Sequence, residues 1–86
     1  MNFSVRIERD AYKSLSRINR QDKIRISAAI RGLRENPNKG AQLKGKMAPL
    51  RRIRVGDYRV IYRLESDEAV VMVIKIGHRR EVYHGL

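Results

Sequence analysis

Six residues in the C-terminal half of the sequence have the types and the spacing that phosphate chemistry requires. They are Arg52, Arg54, Arg59, Arg79, Arg80 and Tyr83. Arg52 and Arg54 alternate with apolar residues, so the period of a β-strand places both arginines on one face. If the later strand ends beside the turn before Arg59, all six side chains share one surface. Fixed cations there would stabilise the extra charge of a pentavalent phosphate transition state. The alternative is an arginine-rich rim that only binds an acidic protein.

The acidic residues and histidines do not form a metal-binding pattern. A metal-dependent nuclease needs clustered carboxylates or imidazoles, whereas the nine acidic residues are scattered over predicted helix ends and turns. His78 and His84 lack a third ligand. We therefore expect no metal and no other cofactor. Cleavage without metal favours RNA as the substrate, because RNA carries its own nucleophile in the 2′-hydroxyl.

The net charge of +11 indicates an anionic partner. Self-repulsion among so many like charges adds nothing to the stability of a small domain. The excess is largest in the middle of the chain, where residues 39–63 hold eight basic residues and one acidic residue. Fourteen of the twenty basic residues are arginines, whose planar guanidinium binds phosphate in a bidentate manner and stacks on bases. Nucleic acid is therefore favoured over a merely solvated basic surface.

Length and composition limit the possible classes of protein. A chain of 86 residues forms one domain, spanning residues 1–86, which excludes a multidomain enzyme, a repeat array and a membrane channel. The absence of cysteine removes disulfides, thiolate zinc sites and a cysteine nucleophile, and it agrees with a reducing compartment. No apolar run approaches the roughly 18 residues of a membrane span, and no signal-peptide pattern is present. We expect a cytoplasmic protein with no membrane partner.

The first half of the chain predicts one strand followed by two helices. Residues 2–8 alternate between apolar and polar side chains, which is the period of a half-buried strand. From Asp10 the apolar spacing lengthens, which predicts a short helix with Asp10 as its N-cap. Asn19 interrupts this pattern and would cap a second helix that runs from Arg20 to about Glu35. The two helices form a hairpin whose apolar face covers a sheet.

The second half of the chain predicts a loop and three strands. Residues 36–49 hold two prolines and two glycines among polar residues, so they form a connecting loop. Leu50 to Val55 and Tyr58 to Leu64 flank Gly56-Asp57, a two-residue hairpin turn. The run Ala69 to Ile76 is apolar on both faces, as in a central strand. The order β-α-α-β-β-β predicts an α+β fold, with the helical hairpin on one face of a mainly antiparallel four-stranded sheet.

Two motifs carry a family resemblance. RVGDYRVIY, followed further along the chain by IGHRREVY, is specific to one superfamily, and LKG precedes both. With these segments the chain resembles the RelE toxins of bacterial and archaeal toxin–antitoxin pairs, within the RelE/ParE superfamily. The resemblance implies the RelE-like microbial RNase fold and a ribosome-dependent mRNA interferase, an endoribonuclease that cuts mRNA in the A site of the 30S subunit and so inhibits translation. It also implies a cognate antitoxin, through which the toxin–antitoxin complex binds operator DNA.

The resemblance assigns roles to the arginine-rich surface. The family's basic pair falls on Arg52 and Arg54, and its phosphate-gripping arginine falls on Arg59. The arginine that donates a proton or stabilises the transition state falls on Arg79. The tyrosine that orients a nucleotide by stacking falls on Tyr83.

The group that accepts a proton from the 2′-hydroxyl stays open. An arginine has a pKa above about 12 and hardly accepts a proton, so Arg52 and Arg54 are expected to lower the pKa of the 2′-hydroxyl by their charge. Arg80 is the neighbouring candidate for the role of Arg79. His84 is a candidate acid or base, because some relatives use a histidine near the C-terminus and its ordinary pKa of about 6.5 suits the task. The alternative is that His84 is a frayed tail residue.

Four further basic residues are expected to contact RNA phosphates without regard to sequence. They are Lys44, Lys46, Arg51 and Arg80. Arg51 stands where many relatives carry an aromatic residue, which concerns local packing and not the active surface.

Two other functions stay open. One is a non-catalytic ParE-like toxin that inhibits DNA gyrase by binding, and the other is a basic interaction module that binds an acidic partner. Retention of the arginines and of Tyr83 argues against the gyrase inhibitor, because that branch has the fold without the ribonuclease residues.

Overall fold

The computed structural model describes the backbone of residues 2–86 and every side chain in that range except that of Arg80. Two helices follow the first strand and precede the rest of the sheet, which confirms the predicted α+β class. The elements are β1 (Ser4–Ile7), α1 (Arg9–Ser16), α2 (Arg20–Gly32), β2 (Ala41–Gln42), β3 (Leu50–Val55), β4 (Tyr58–Glu65) and β5 (Val70–His78). Short 3₁₀ helices span Gly45–Met47 and Arg79–Tyr83.

The sheet has five strands in the order β1-β5-β4-β3-β2. β1 pairs in parallel with β5, and the other neighbours are antiparallel. The prediction of four strands misses β2, which consists of two exposed residues paired with Arg51 and Arg52. A strand of this length has no alternation that a sequence could display. The apolar β5 lies in the interior of the sheet, between β1 and β4, as its composition predicts.

The two helices begin differently. Asn19 caps α2 as predicted, because its Oδ1 accepts a hydrogen bond from the Asp22 amide at 3.0 Å. The prediction of Asp10 as the cap of α1 is wrong: Glu8 holds that position, and Asp10 lies inside the first turn. The helix dipole stabilises a carboxylate at the N-cap and in the first turn alike. An aspartate near the start of a helix therefore does not show which of the two positions it occupies. Within residues 2–86, neither helix is long and apolar enough to cross a membrane.

The apolar faces of both helices pack on one face of the sheet. Leu15 of α1 and Ile26 and Ile30 of α2 are buried there. The sheet contributes the inward side chains Ile53, Val60, Tyr62, Val71 and Val73. Because side chains alternate along a strand, the neighbours of these residues lie on the opposite face. That second face holds Arg52 and Arg54 of β3 and Arg59 of β4.

The C-terminal 3₁₀ helix covers part of the second face. It packs against β4 and β5, and its Val82 is buried. Ile61, which is paired with Arg52 and so lies on this face, is buried as well. A short segment at the end of the chain therefore joins the sheet at the surface that the sequence predicts to be functional.

Candidate nucleic-acid interface

The pairing of β3 with β4 brings three arginines onto one face. Arg54 lies opposite Arg59, and Arg52 lies opposite Ile61, and directly paired residues share a face of the sheet. The two strands are joined by the predicted turn, in which Gly56 has a φ of +61°. This left-handed conformation is one that glycine adopts without steric cost. A tight turn thus holds Arg54 and Arg59 next to each other.

The end of β5 lies beside that turn, which is the condition that the sequence left open. Tyr58 pairs with His78, and Arg59 pairs with Gly77. The Arg79 amide donates a hydrogen bond to the Asp57 carbonyl at 2.9 Å. Arg79 has a φ of +50°, a left-handed conformation that turns the chain back over the sheet. The 3₁₀ helix begins at this residue.

Tyr83 lies between two of the arginines. Its hydroxyl accepts hydrogen bonds from the Nη1 atoms of Arg52, at 3.1 Å, and Arg59, at 3.3 Å. The Cζ atom of Arg59 also lies 5.5 Å from the centroid of the tyrosine ring, within the range of a cation–π contact. Of the six predicted residues, the structure therefore brings Arg52, Arg59 and Tyr83 into contact. We call Arg52, Arg54, Arg59, Arg79 and Tyr83 the arginine–tyrosine cluster.

An open cleft of about 730 Å³ adjoins the cluster. Three of its lining residues are Arg54, Arg59 and Arg79; the others are Gly56, Asp57, His78 and Glu81. In residues 2–86 the ion pairs of Asp and Glu involve other basic residues and none of the four cluster arginines. The lining holds three arginines and two carboxylates, Asp57 and Glu81, so cations are in excess and favour an anionic ligand. The cleft therefore suits a phosphate.

The two arginines change the acidity of Tyr83. Burial raises the pKa of the Tyr83 phenol, but the hydrogen bonds and charges of Arg52 and Arg59 lower it by more. The result is a pKa below the ordinary value. The opposite holds for Tyr62 in the core, where burial raises the pKa and outweighs the effects of the Gly40 amide and of Arg51.

Titration with base should ionise Tyr83 at a lower pH than Tyr62. Folded Tyr62 holds its proton more tightly than unfolded Tyr62, so its contribution to stability is present below the ordinary tyrosine pKa of about 10 and is lost as the pH rises through the raised value. For Tyr83 the contribution is present at high pH and is lost as the pH falls through the lowered value. Tyrosinate absorbance, compared with that of Tyr83→Phe and Tyr62→Phe, assigns the two steps. Ionisation of both residues at one pH would contradict the described contacts.

Tyr62 also anchors the loop that precedes β2. Its hydroxyl donates to the Pro37 carbonyl at 2.7 Å and accepts from the Gly40 amide at 2.9 Å. Arg51 is paired with Tyr62 on the helix side of the sheet, and its Nη1 donates to the carbonyls of Asn38 and Gly40. The structure therefore does not bring Arg51 to the arginine–tyrosine cluster. Its described contacts hold the loop in place.

The other predicted residues lie around the cluster or outside the described side chains. Lys44 precedes the first 3₁₀ helix and Lys46 lies within it; both are exposed, and neither lines the cleft. His84 is exposed directly after Tyr83, and its carbonyl accepts a hydrogen bond from the Lys75 ammonium. The side chain of Arg80 lies outside the described residues.

Four residues that line the cleft were not predicted as part of the site: Gly56, Asp57, His78 and Glu81. The Oδ2 atom of Asp57 lies 3.9 Å from the Nε2 atom of His78. The His78 ring meets the Tyr58 ring edge-on, with 5.1 Å between the centroids. Glu81 projects from the 3₁₀ helix. These residues share no regular spacing in the sequence. Their proximity follows only from the pairing of β5 with β4. Across residues 2–86, no three acidic or histidine side chains are grouped to hold a metal ion.

A helical hairpin on one face of a mixed sheet and an arginine-rich second face define a small basic α+β protein. The chain belongs to the family described as ParE toxin of type II toxin–antitoxin system, parDE, which matches residues 2–83. The predicted membership of the RelE/ParE superfamily is confirmed.

Three relatives show how far the similarity extends. Toxin RelG of Mycobacterium tuberculosis (strain ATCC 25618 / H37Rv) is 30% identical over 50 residues, which are 58% of this chain and 58% of RelG. A chain of the toxin–antitoxin complex RelBE2 from Mycobacterium tuberculosis superposes with a TM-score of 0.85 at 22% identity, covering 92% of this chain and 100% of the other. A chain of the archaeal RelE–RelB complex from Pyrococcus horikoshii OT3 gives 0.76 at 28% identity, covering 93% and 98%.

Proposed function

We propose that this toxin is an endoribonuclease that cleaves mRNA in the ribosomal A site. The observation that carries the proposal is the convergence of Arg52 and Arg59 on one oxygen atom, the Tyr83 hydroxyl. Two guanidinium groups directed at one oxygen can donate charge-assisted hydrogen bonds, which are bonds that a phosphate oxygen accepts well. Arg54 and Arg79 extend the same charge along the adjoining cleft.

The proposed reaction uses the 2′-hydroxyl of the RNA as the nucleophile. The 2′-oxygen attacks the adjacent phosphorus and the 5′-oxygen leaves, which yields a 2′,3′-cyclic phosphate, or its hydrolysed form, and a 5′-hydroxyl. The charges of Arg52 and Arg54 lower the pKa of the 2′-hydroxyl. Arg59 and Arg79 stabilise the charge of the pentavalent transition state. The ring of Tyr83 orients a base by stacking.

The partners follow from the same proposal. Lys44, Lys46 and Arg80 contact phosphates of ribosome-bound RNA without regard to sequence. A cognate antitoxin binds the toxin, a proposal supported by structurally similar chains from complexes described as toxin–antitoxin or RelE–RelB. Through the antitoxin, the complex binds operator DNA. The activity belongs in the cytoplasm, and the proposed chemistry uses neither a metal nor another cofactor.

The second candidate is inhibition of DNA gyrase by binding. The family match favours gyrase inhibition, because the matching family is described as ParE toxin. A gyrase inhibitor does not need arginines that converge on one oxygen, so the geometry of the cluster supports cleavage. A basic module that only binds an acidic partner is the third candidate.

Purified toxin should cut a translated message inside codons on programmed ribosomes. Primer extension across the message locates the cuts, and a gyrase supercoiling assay with the same preparation tests the second candidate. Cuts that require the ribosome support the proposal. If supercoiling is inhibited and the message stays intact, the toxin is the gyrase inhibitor of the second candidate. If neither effect is observed, the third candidate, a binding module, applies.

Binding to ribosomes should weaken steeply as salt increases. Phosphate contacts release counterions, and six or more of them lose about 10³-fold or more in affinity between 50 and 200 mM salt. The slope of log affinity against log salt concentration, measured by sedimentation with ribosomes, reports the number of contacts. Affinity that stays constant over this range would show that the +11 charge does not drive association.

A further inference from the structure

Val82 is buried against a glycine of the sheet. Its side chain is 1% exposed, although the residue lies in a five-residue 3₁₀ helix on the surface. A Cβ atom added to Gly77 would lie 3.4 Å from both Cβ and Cγ2 of Val82. Because Gly77 has no side chain, Val82 packs directly against the sheet at this position. We call this contact the seat of Val82.

The seat adjoins the arginine–tyrosine cluster. Gly77 is paired with Arg59 across the sheet, and Tyr83 directly follows Val82 in the chain. The ends of the segment are fixed as well, by the hydrogen bond from Arg79 to Asp57 and by that from Lys75 to the His84 carbonyl. Val82 lies between these two anchors as the buried side chain of the segment.

A 3₁₀ helix of this length does not hold its own conformation. Its hydrogen bonds have poor geometry, and short helices in water depend on packing for their stability. The position of Tyr83 over the arginines must therefore come from how the segment docks on the sheet.

We propose that Val82, seated on Gly77, is the positioning residue that holds Tyr83 between Arg52 and Arg59. Loss of the seat frees the segment while leaving Arg52 and Arg59 on their strands. The effect on cleavage rests on the proposed ribonuclease function, but the effect on Tyr83 itself does not.

The test follows the Tyr83 proton in Val82→Ala by the ¹³Cζ chemical shift of labelled tyrosine. In the wild type the two guanidinium groups lower the pKa of Tyr83, so the freed ring should titrate at higher pH while Tyr62 does not change. Val70→Ala is the matched control, because Val70 is also a buried valine but lies at the opposite end of β5 from Gly77. Val82→Ile should keep the wild-type titration.

Gly77→Ala supplies a second variant with an intact Val82. Its new Cβ would lie 3.4 Å from two atoms of the valine, at the boundary between tight and ordinary van der Waals contact, so the pKa of Tyr83 should rise as in Val82→Ala but by less. On ribosomes, kcat of the Val82→Ala protein should fall about 10- to 100-fold with KM little changed, since a small misplacement of a positioned group has effects of this size.

The two proposals fail in different ways. Wild-type titration of Tyr83 in folded Val82→Ala, or in Gly77→Ala if the former does not fold, overturns the positioning role even if the wild type cleaves RNA. A shifted titration with no cleavage by the wild type supports the seat and contradicts the ribonuclease.

Discussion

Arg59→Ala should lower the rate of mRNA cleavage on programmed ribosomes by about 10²- to 10³-fold, the usual effect of removing one preorganised donor from a charged transition state. Arg59 is the arginine that belongs both to the pair facing Tyr83 and to the wall of the cleft. Its removal therefore takes a cation from the centre of the site. The strand itself keeps its backbone pairing with β3 and β5.

Two further variants separate charge from geometry. Arg59→Lys keeps the charge but loses the planar fork, so its rate should lie between those of the wild type and Arg59→Ala. Arg17→Ala removes an exposed arginine from the connection between the helices and should cleave like the wild type. Single-turnover rates with saturating toxin make the comparison independent of binding. Wild-type cleavage by Arg59→Ala would show that the cluster only binds its partner.

Gly40→Ala should destabilise the fold by about 2–4 kcal/mol, as expected when overpacking is added to a disturbed buried hydrogen bond. The new Cβ would lie 2.6 Å from the Tyr62 hydroxyl oxygen and 2.8 Å from the Arg52 carbonyl oxygen. Neither can retreat easily, because the first anchors the loop and the second belongs to β3. Urea unfolding should show a lower midpoint with an unchanged slope.

Gly32→Ala is the control for this substitution. Gly32 ends α2, and a Cβ there meets no atom within 4 Å. Alanine favours the helix by up to about 1 kcal/mol over glycine, so this variant should be as stable as the wild type or slightly more stable. Equal stability of the Gly40 and Gly32 variants would mean that the loop yields to the added methyl group.

The sequence predicted those features of the fold that depend on local periodicity. Arg52 and Arg54 share a face because alternation in a strand has only one period, and Asn19 caps α2 because its amide reaches a nearby backbone donor. β2 escaped prediction since a two-residue strand exists only through its partner, and the cap of α1 was misplaced since Asp10 suits either position.

The sequence could predict the candidate site only on the condition that β5 ends beside the turn between β3 and β4. Whether Arg79 and Tyr83 join the arginines of β3 and β4 depends on which edge of β4 receives β5, and no local pattern encodes that choice. Once β5 pairs with β4, the left-handed Arg79 and the seat of Val82 direct the tail onto the cluster. Residues to which the motifs assign no role, such as Asp57 and Gly77, acquire their roles at this step.

The parallel pairing of β1 with β5 determines when the toxin can form during its own synthesis. β1 leaves the ribosome first, yet Ser4 pairs with Val70, so the first strand waits for the last. Contacts so distant in sequence form late in folding. A nascent chain that stops before β5 lacks the interior of the sheet and the support for Tyr83. Synthesis that stops before β5 therefore yields no active fragment, because Ser4 to Ile7 then have no strand to pair with.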